Sequence, residues 1–217
     1  MSYTISLILF AIIAGIVAVI FKIPFWILVV TIISISLLRA GYVMYILYRS
    51  QNVQKIERFL QSSIKNPLYN YTLSLKESSP AIQKQAIDHI LATYKSPIMQ
   101  GTYRANRAMM DHNYSAAKDF AAQIPNDMMR NYSLALIDAT QGNAKAENYI
   151  LAKPWMTSLI AAVLQYKKGQ MDEYEQYKIQ ALQYSRGIQY FTNYYYFERI
   201  HENVKTSKAN KKIKKSS

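Results

Sequence analysis

The feature that most constrains this 217-residue chain is a pair of apolar stretches near its beginning. Residues 5–21 and 25–38 contain no charged side chain. A helix needs about 20 apolar residues to cross the hydrocarbon core of a bilayer, so we expect two spans, at about residues 3–21 and 25–46. A cleaved signal peptide is the alternative. It would carry basic residues ahead of its apolar run, and none are present here.

The flanking charges predict how such a hairpin would be oriented. The turn between the two spans offers Lys22, whereas Arg39, Arg49, Lys55 and Arg58 lie within or after the second span. Because loops rich in Lys and Arg stay in the cytoplasm, we expect the turn outside and both termini inside. The sequence therefore predicts a multi-pass protein of the cell membrane.

Five side chains near the ends of the second apolar run are candidates for the membrane interface. A guanidinium can reach the headgroups while its stem remains in the apolar layer, and Tyr is enriched at the same depth. The candidates are Lys22, Arg39, Tyr42, Tyr45 and Arg49.

The region from residue 50 to 204 has the apolar periodicity of helices and few alternating β-branched runs. Within residues 98–184, three segments share the layout of helix, tight polar turn and second helix. The segments cover 98–124, 127–152 and 154–184, with turns at 111–113, 141–143 and 168–170. Gly142 and Gly169 suit the left-handed position that closes a helix, and Asn113 can adopt it too.

Small side chains recur on both sides of these turns, where they allow the two helices of a hairpin to approach closely. They are Ala105, Ala108, Ala117, Ala121, Ala135, Ala139, Ala162 and Ala181. Hairpins stacked in series would then bury the remaining Tyr, Met and Leu side chains.

This layout resembles the tetratricopeptide repeat family. In the first segment Ala117 and Ala121 match small positions of the family's second helix, and Pro125 follows it. The third segment matches at Gly169, Met171, Tyr177 and Ala181, although Tyr174 stands where the family favours Ala. The spacing of about 28 residues is shorter than the family's 34. The resemblance implies protein–protein contact on a concave helical face; a plain helical bundle is the alternative.

The predicted fold is therefore all-α. A two-helix transmembrane hairpin (1–49) precedes a tetratricopeptide-like solenoid or small bundle (50–204), and a disordered basic tail (205–217) follows. The last helix of the domain, residues 188–204, is rich in aromatics. It is expected either to cap the stack with its Tyr hydroxyls in water or to contact a partner or lipid through Tyr190, Tyr194, Tyr195 and Tyr196.

The tail holds about half of the chain's net charge of +13. Its lysines are Lys205, Lys208, Lys211, Lys212, Lys214 and Lys215. It is either a solvated tail or a contact to anionic lipid headgroups. Nucleic acid is not an expected partner, because the tail interleaves no aromatic or arginine that could stack on bases.

No catalytic residue, metal site or cofactor is predicted. His89, His112 and His201 each lack a second metal ligand at helical spacing, and the chain has no phosphate-binding or nucleophile motif. The sequence favours a membrane-anchored cytoplasmic adaptor that binds an unidentified partner protein, with membrane lipids as its other partner. An accessory subunit of a larger membrane complex, such as a transporter, is the alternative.

Overall fold

The computed structural model describes residues 24–77 and 79–216, with side chains for 24, 26–77 and 79–201. All regular structure in these residues is helical, which confirms the all-α prediction. The helices are α1 (Phe25–Tyr48), α2 (Val53–Ser62), α3 (Pro67–Ser74), α4 (Pro80–Thr93), α5 (Pro97–Met110), α6 (Tyr114–Ala122), α7 (Asp127–Thr140), a 3-10 helix (Ala144–Asn148), α8 (Pro154–Lys168), α9 (Met171–Tyr184) and α10 (Gly187–Ser216).

The chain divides into two compact units between Tyr45 and Ile46. Helix α1 supplies the described part of the first unit, and its residues 26–48 are long and apolar enough to cross a membrane. Most of its side chains are exposed, among them Leu37 and Leu38. The second predicted span is thus a helix of suitable length. The first predicted span and Lys22 lie outside the described residues, so the hairpin stays a prediction.

The second unit begins inside the last turn of α1, four residues earlier than the predicted boundary at residue 50. Ile46 is 2 % exposed and packs in a cluster with Ile56, Leu60 and Phe191. Asn52 then starts α2 by accepting a hydrogen bond from the Lys55 amide at 2.9 Å. Because Ile46 is buried against α2 and α10, its apolar side chain stabilises the domain that contains these helices.

Several helices begin at a side chain that accepts a hydrogen bond from an orphan backbone amide, as short polar residues do. Asn66, Ser96, Asn113 and Asn126 cap α3, α5, α6 and α7 in this way. Proline occupies the first turn of α3, α4, α5 and α8, where its missing N–H is not needed.

Three helices end in the same turn, at the three positions that the sequence predicts. After α7, the Gly142 amide donates to the Ala139 carbonyl at 2.9 Å and the Asn143 amide to the Asp138 carbonyl at 2.9 Å. Helices α5 and α8 close with the same pair of bonds, which defines the Schellman motif. The motif needs one residue with positive φ.

Gly142 and Gly169 take that conformation as predicted, with φ of 75° and 77°. In the first turn the prediction of Asn113 is wrong. His112 has φ 57°, while Asn113 has φ −89° and caps α6. The end of α5 and the start of α6 share these residues. Because Asn caps the start of a helix better than His, Asn113 takes the capping position and His112 the left-handed one.

The second hairpin is shorter than predicted, because the chain after Asn143 forms only the 3-10 helix before Pro154. The buried Asp138 carboxylate holds this segment in place. It accepts from Lys118 Nζ at 2.7 Å, from the Tyr149 hydroxyl at 3.1 Å and from Asn143 Nδ2 at 3.2 Å.

All eight small residues singled out in the sequence are buried in the domain core, which confirms their predicted role. Ala105, Ala108, Ala117 and Ala121 form one cluster between α5 and α6. Ala162 and Ala181 join α8 to α9 in another. A methyl side chain lets two helix backbones approach more closely than a larger one would, so the hairpins pack tightly.

The backbone of α10 continues through Ser216, whereas the sequence predicts that order ends near residue 204. No Gly or Pro follows Gly187, and Lys and Ala favour helix, so nothing local interrupts it.

Candidate functional site: a tyrosine-lined cavity

A cavity of about 360 Å³ lies inside the second unit between α3, α5, α7 and α10. Helix α10 contributes side chains at positions 188, 189, 192, 193, 196 and 199, the spacing of one helix face. Helix α5 contributes 102, 103, 106, 109 and 110, and α7 contributes 129, 132, 133 and 136, by the same rule. The cavity is thus lined by helix faces that leave space between one another.

Four tyrosines line this cavity: Tyr71, Tyr103, Tyr132 and Tyr196. The rings of Tyr71 and Tyr103 meet edge to face, with 5.3 Å between centroids. The Tyr132 ring has the same relation to Trp155, also at 5.3 Å. Such pairs fix the ring positions and therefore the directions of the hydroxyls.

The tyrosine hydroxyls are held in a desolvated environment. Burial raises the pKa of Tyr71 to about 12, partly opposed by the Arg199 guanidinium, and the pKa of Tyr196 to about 12 against the same opposition. Burial also raises the pKa of Tyr103 and Tyr132, with Tyr71 and Tyr196 respectively as the next cause. Arg199 therefore acts on two of the four tyrosines, Tyr71 and Tyr196. At neutral pH all four are protonated donors.

Among the described residues that line the cavity, Arg199 is the one with a cationic side chain. Its Nη1 donates to Gln83 Oε1 at 3.0 Å and its Nη2 to the Leu75 carbonyl at 2.8 Å. Both acceptors are neutral, and no Asp or Glu is among the described residues that line the cavity. A guanidinium has five N–H donors, so further donors remain for another acceptor.

Amide side chains on α10 form a second polar edge of the cavity. Gln189 Nε2 donates to Asn193 Oδ1 at 2.8 Å, and Asn193 Nδ2 donates to Ser185 Oγ at 2.7 Å. Ser185 Oγ in turn donates to the Ala181 carbonyl at 2.6 Å. Asn193 and Ser185 are buried, so this chain of bonds fixes the start of α10 against the end of α9.

The remaining wall is apolar and adaptable. It is lined by Met109, Met110 and Met129 together with Leu136 and Leu159. Methionine has three rotatable bonds and a polarizable sulfur, so it adjusts to occupants of different shape. The cavity therefore combines one cation, several hydroxyl and amide donors, and a flexible apolar wall.

Of the residues predicted from the sequence to touch a partner or lipid, Tyr196 lies in this cavity. Tyr190 and Tyr195 are partly buried against the cluster that contains Ile46 and Phe191. Tyr194 is partly buried too, and its ring stacks on Tyr190 with 6.4 Å between centroids. These four tyrosines are close together in the sequence, but the helix places them on different faces.

The predicted interface residues Arg39, Tyr42, Tyr45 and Arg49 are exposed. The side chains of the six tail lysines lie outside the described residues. His89, His112 and His201 do not meet, and the described residues hold no group of three metal-ligating side chains.

Tyr71, Tyr103, Tyr132 and Arg199 are the residues that sequence reasoning missed. Tyr132 and Leu136, or Tyr196 and Arg199, are spaced like core positions of amphipathic helices. A cavity arises where three such faces fail to fill the space between them, which depends on the tertiary packing of distant helices.

Comparison with protein-family models, with curated proteins and with solved structures finds no match to this chain. The geometry of the site is therefore the basis for assigning it a function.

Proposed function

We propose that this chain is a membrane-anchored adaptor with both termini in the cytoplasm, where its helical domain binds a partner protein. The observation that carries the proposal is helix α1. Its exposed apolar side chains, such as Val30, Ile33 and Leu37, would be costly in water. A compact helical domain follows it directly in the chain.

The helical hairpins support the adaptor role. Helices α5 and α6, and helices α8 and α9, pair through buried alanines and are joined by the same Schellman turn. Stacked hairpins of this kind present extended surfaces to other proteins. The stacked rings of Tyr190 and Tyr194 are the candidate contact, because partly exposed tyrosines are enriched at protein interfaces.

The topology can be tested with single cysteines, because the natural chain has none. We expect Lys22→Cys to react with a membrane-impermeant maleimide on intact cells. Ile150→Cys, whose parent side chain is 85 % exposed, should react only after the membrane is permeabilised. Labelling of Ile150→Cys on intact cells would place the domain outside and contradict the proposal.

The adaptor role can be separated from the alternative of an accessory subunit by replacing residues 1–45 with an unrelated two-span anchor. The junction must leave Ile46 in place, because Ile46 is part of the domain core. A photo-crosslinker at Tyr194 should give the same specific adduct on both anchors, and one at Ile150 serves as the control position. Loss of the adduct on the foreign anchor would favour the accessory subunit.

The tail lysines are proposed to bind anionic lipid headgroups, at about 1 kcal/mol for each Lys near such a surface. Reconstituted full-length protein should bind added phosphatidylglycerol vesicles more tightly than phosphatidylcholine vesicles, and less tightly as salt increases. Replacing the six lysines with Gln should remove the difference. An unchanged lipid preference would contradict this contact.

A further inference from the structure

We propose that the tyrosine-lined cavity binds a small anionic amphiphile, a carboxylate carried on an alkyl chain. This is a ligand-binding function beyond the adaptor role, and it uses residues that the adaptor proposal does not need. The cavity volume of about 360 Å³ falls at the lower end of the range of small-molecule pockets.

The anionic end of the ligand would lie at Arg199. The guanidinium is held by Gln83 and by the Leu75 carbonyl, so its orientation is fixed while its charge has no carboxylate partner among the described residues. Gln83 is itself fixed, because its Nε2 donates to the Glu77 carbonyl at 2.8 Å. A charged donor in a desolvated site forms its strongest hydrogen bonds with an ionised acceptor.

The tyrosine hydroxyls complete this end of the site. The side chains of Tyr71, Tyr103 and Tyr132 line the cavity, and so does Thr102, whose Oγ1 is buried and has no hydrogen-bond partner among the described residues. Buried polar groups are nearly always hydrogen-bonded, so an occupant of the cavity would supply the partner that Thr102 Oγ1 lacks. Neutral hydroxyls donate to a carboxylate and repel no part of it.

The alkyl chain would lie against the methionine wall of α5 and α7. Met109, Met110 and Met129 can adjust to chains of different length, and Leu136 and Leu159 add apolar surface. A ligand with one charged end and one apolar end matches this division of the cavity.

A small ligand fits this place better than a protein segment. Helix α10 already forms one side of the cavity, and it is held there by the bond from Arg199 to Gln83 and by the Asn193–Ser185 bond of 2.7 Å. A macromolecular segment would have to displace α10 and leave Asn193 unpaired in the interior. Burying an amide without a partner is strongly unfavourable.

Trp155 provides a direct readout, because its ring contacts Tyr132 at the cavity wall. The chain has two Trp residues, so Trp26→Phe leaves Trp155 as the reporter. We would titrate this full-length protein in phosphatidylcholine nanodiscs with octanoate and, separately, with 1-octanol. Empty nanodiscs correct for partition of either compound into the bilayer, and calorimetry gives an independent affinity.

Octanoate is expected to bind at least ten-fold more tightly than octanol, because a hydrogen-bonded charge contributes about 1.5–3 kcal/mol. Arg199→Gln should weaken the binding of octanoate about ten-fold and leave the affinity for octanol unchanged. Arg104→Gln is the matched control, because Arg104 is exposed and its guanidinium lies over Phe120, outside the cavity.

Equal affinity for the two compounds, or no saturable response to octanoate, would overturn the proposal. Equal weakening by Arg104→Gln and Arg199→Gln would also overturn it. If Arg199→Gln fails to fold, the comparison of octanoate with octanol on the unmodified site decides alone. The cysteine-labelling result does not depend on this outcome, so the two proposals can fail separately.

Discussion

His112 shows how a single residue can hold an unfavourable conformation when its neighbours have other roles. Among the described residues it is the one non-glycine with positive φ. The equivalent positions after α7 and α8 are Gly142 and Gly169. A side chain in this conformation costs about 1–2 kcal/mol relative to the right-handed region, and the two hydrogen bonds of the turn outweigh that cost.

Replacing His112 with Gly should therefore stabilise the domain by about 0.5–1 kcal/mol, since the left-handed strain is removed while some chain entropy is lost. Urea unfolding of the reconstituted protein, followed by Trp155 fluorescence, measures the change. His112→Ala is the control, because it removes the imidazole but keeps the strained Cβ, and it should leave stability nearly unchanged. A stability loss in His112→Gly would show that the imidazole makes a necessary contact.

Tyr174 is a second residue with an unfavourable feature, in this case a buried hydroxyl. Its side chain is 1 % exposed, its ring packs against Tyr166 and Phe197, and its hydroxyl has no hydrogen-bond partner among the described residues. The ring therefore stabilises the core between α8, α9 and α10, whereas the hydroxyl opposes burial.

We expect Tyr174→Phe to be neutral or to stabilise the domain by up to about 1 kcal/mol, because it removes an unsatisfied polar atom without changing the packing. Tyr174→Ala should destabilise it by about 3–5 kcal/mol through the cavity that it leaves. Thermal unfolding of the two variants distinguishes ring from hydroxyl. Destabilisation by the Phe variant would reveal a hydrogen bond to the hydroxyl.

At the scale of elements, the residues that follow α1 approach the start of α10 closely. The Gly187 amide donates to the Ser50 carbonyl at 2.7 Å. Gln51 Nε2 donates to the Leu182 and Ser185 carbonyls, each at 3.0 Å. A Cβ on Gly187 would lie 1.7 Å from the Leu47 carbonyl oxygen. The two ends of the domain thus meet backbone to backbone.

Gly187→Ala should therefore prevent α10 from docking, with a loss of stability of more than about 3 kcal/mol, because backbone must move on both sides. Gly169→Ala is the matched control. Its φ is also positive, but a Cβ there would have no neighbouring atom within 4 Å, so only the conformational cost of about 1 kcal/mol applies. Limited proteolysis should cut Gly187→Ala near α10 and leave Gly169→Ala intact. Similar behaviour of the two variants would show that the close approach is not required.

At the scale of the whole molecule, the desolvated tyrosines link stability to alkaline pH. An exposed Tyr in the unfolded chain ionises near pH 10, whereas burial raises the pKa of Tyr71 and Tyr196 to about 12 in the folded domain. Above pH 10 the unfolded chain binds fewer protons than the folded one, so unfolding becomes more favourable as pH rises.

The stabilising contribution of these groups should be fully present below pH 10 and should be lost between about pH 10 and 12. A shift of two units corresponds to roughly 2–3 kcal/mol for each group at full effect. Urea unfolding at pH 8, 10 and 11 measures the slope. Tyr71→Phe should reduce the slope, and a Phe variant at the exposed Tyr184 should not. An unchanged slope in Tyr71→Phe would mean that Tyr71 ionises without unfolding.

Features fixed by local chemistry could be predicted from the sequence. The helical class, the positions of the three turns, the left-handed Gly142 and Gly169, and the buried alanines all follow from spacing and from the conformational limits of each residue. The short second hairpin was missed because the Asp138 carboxylate holds Tyr149 and Asn143, and such a buried contact cannot be recognised from spacing.

The cavity could not be predicted, because it depends on how far the faces of α5, α7 and α10 stand apart. Tyr196 illustrates the limit. Tyr190 and Tyr194 are the same residue type on the same helix. Only the direction and packing of α10 determine which of these rings lies in the cavity. The role of Arg199 can be recognised only from its hydrogen bonds to Gln83 and to the Leu75 carbonyl, which lie 116 and 124 residues away in the chain.

The cluster of Ile46, Ile56, Leu60 and Phe191 also sets an order of events during synthesis. Ile46 leaves the ribosome 145 residues before Phe191. At 5–20 residues per second this is a delay of roughly 7–29 s. During that interval the first-made helices of the domain expose the apolar surface that Phe191 of α10 later covers.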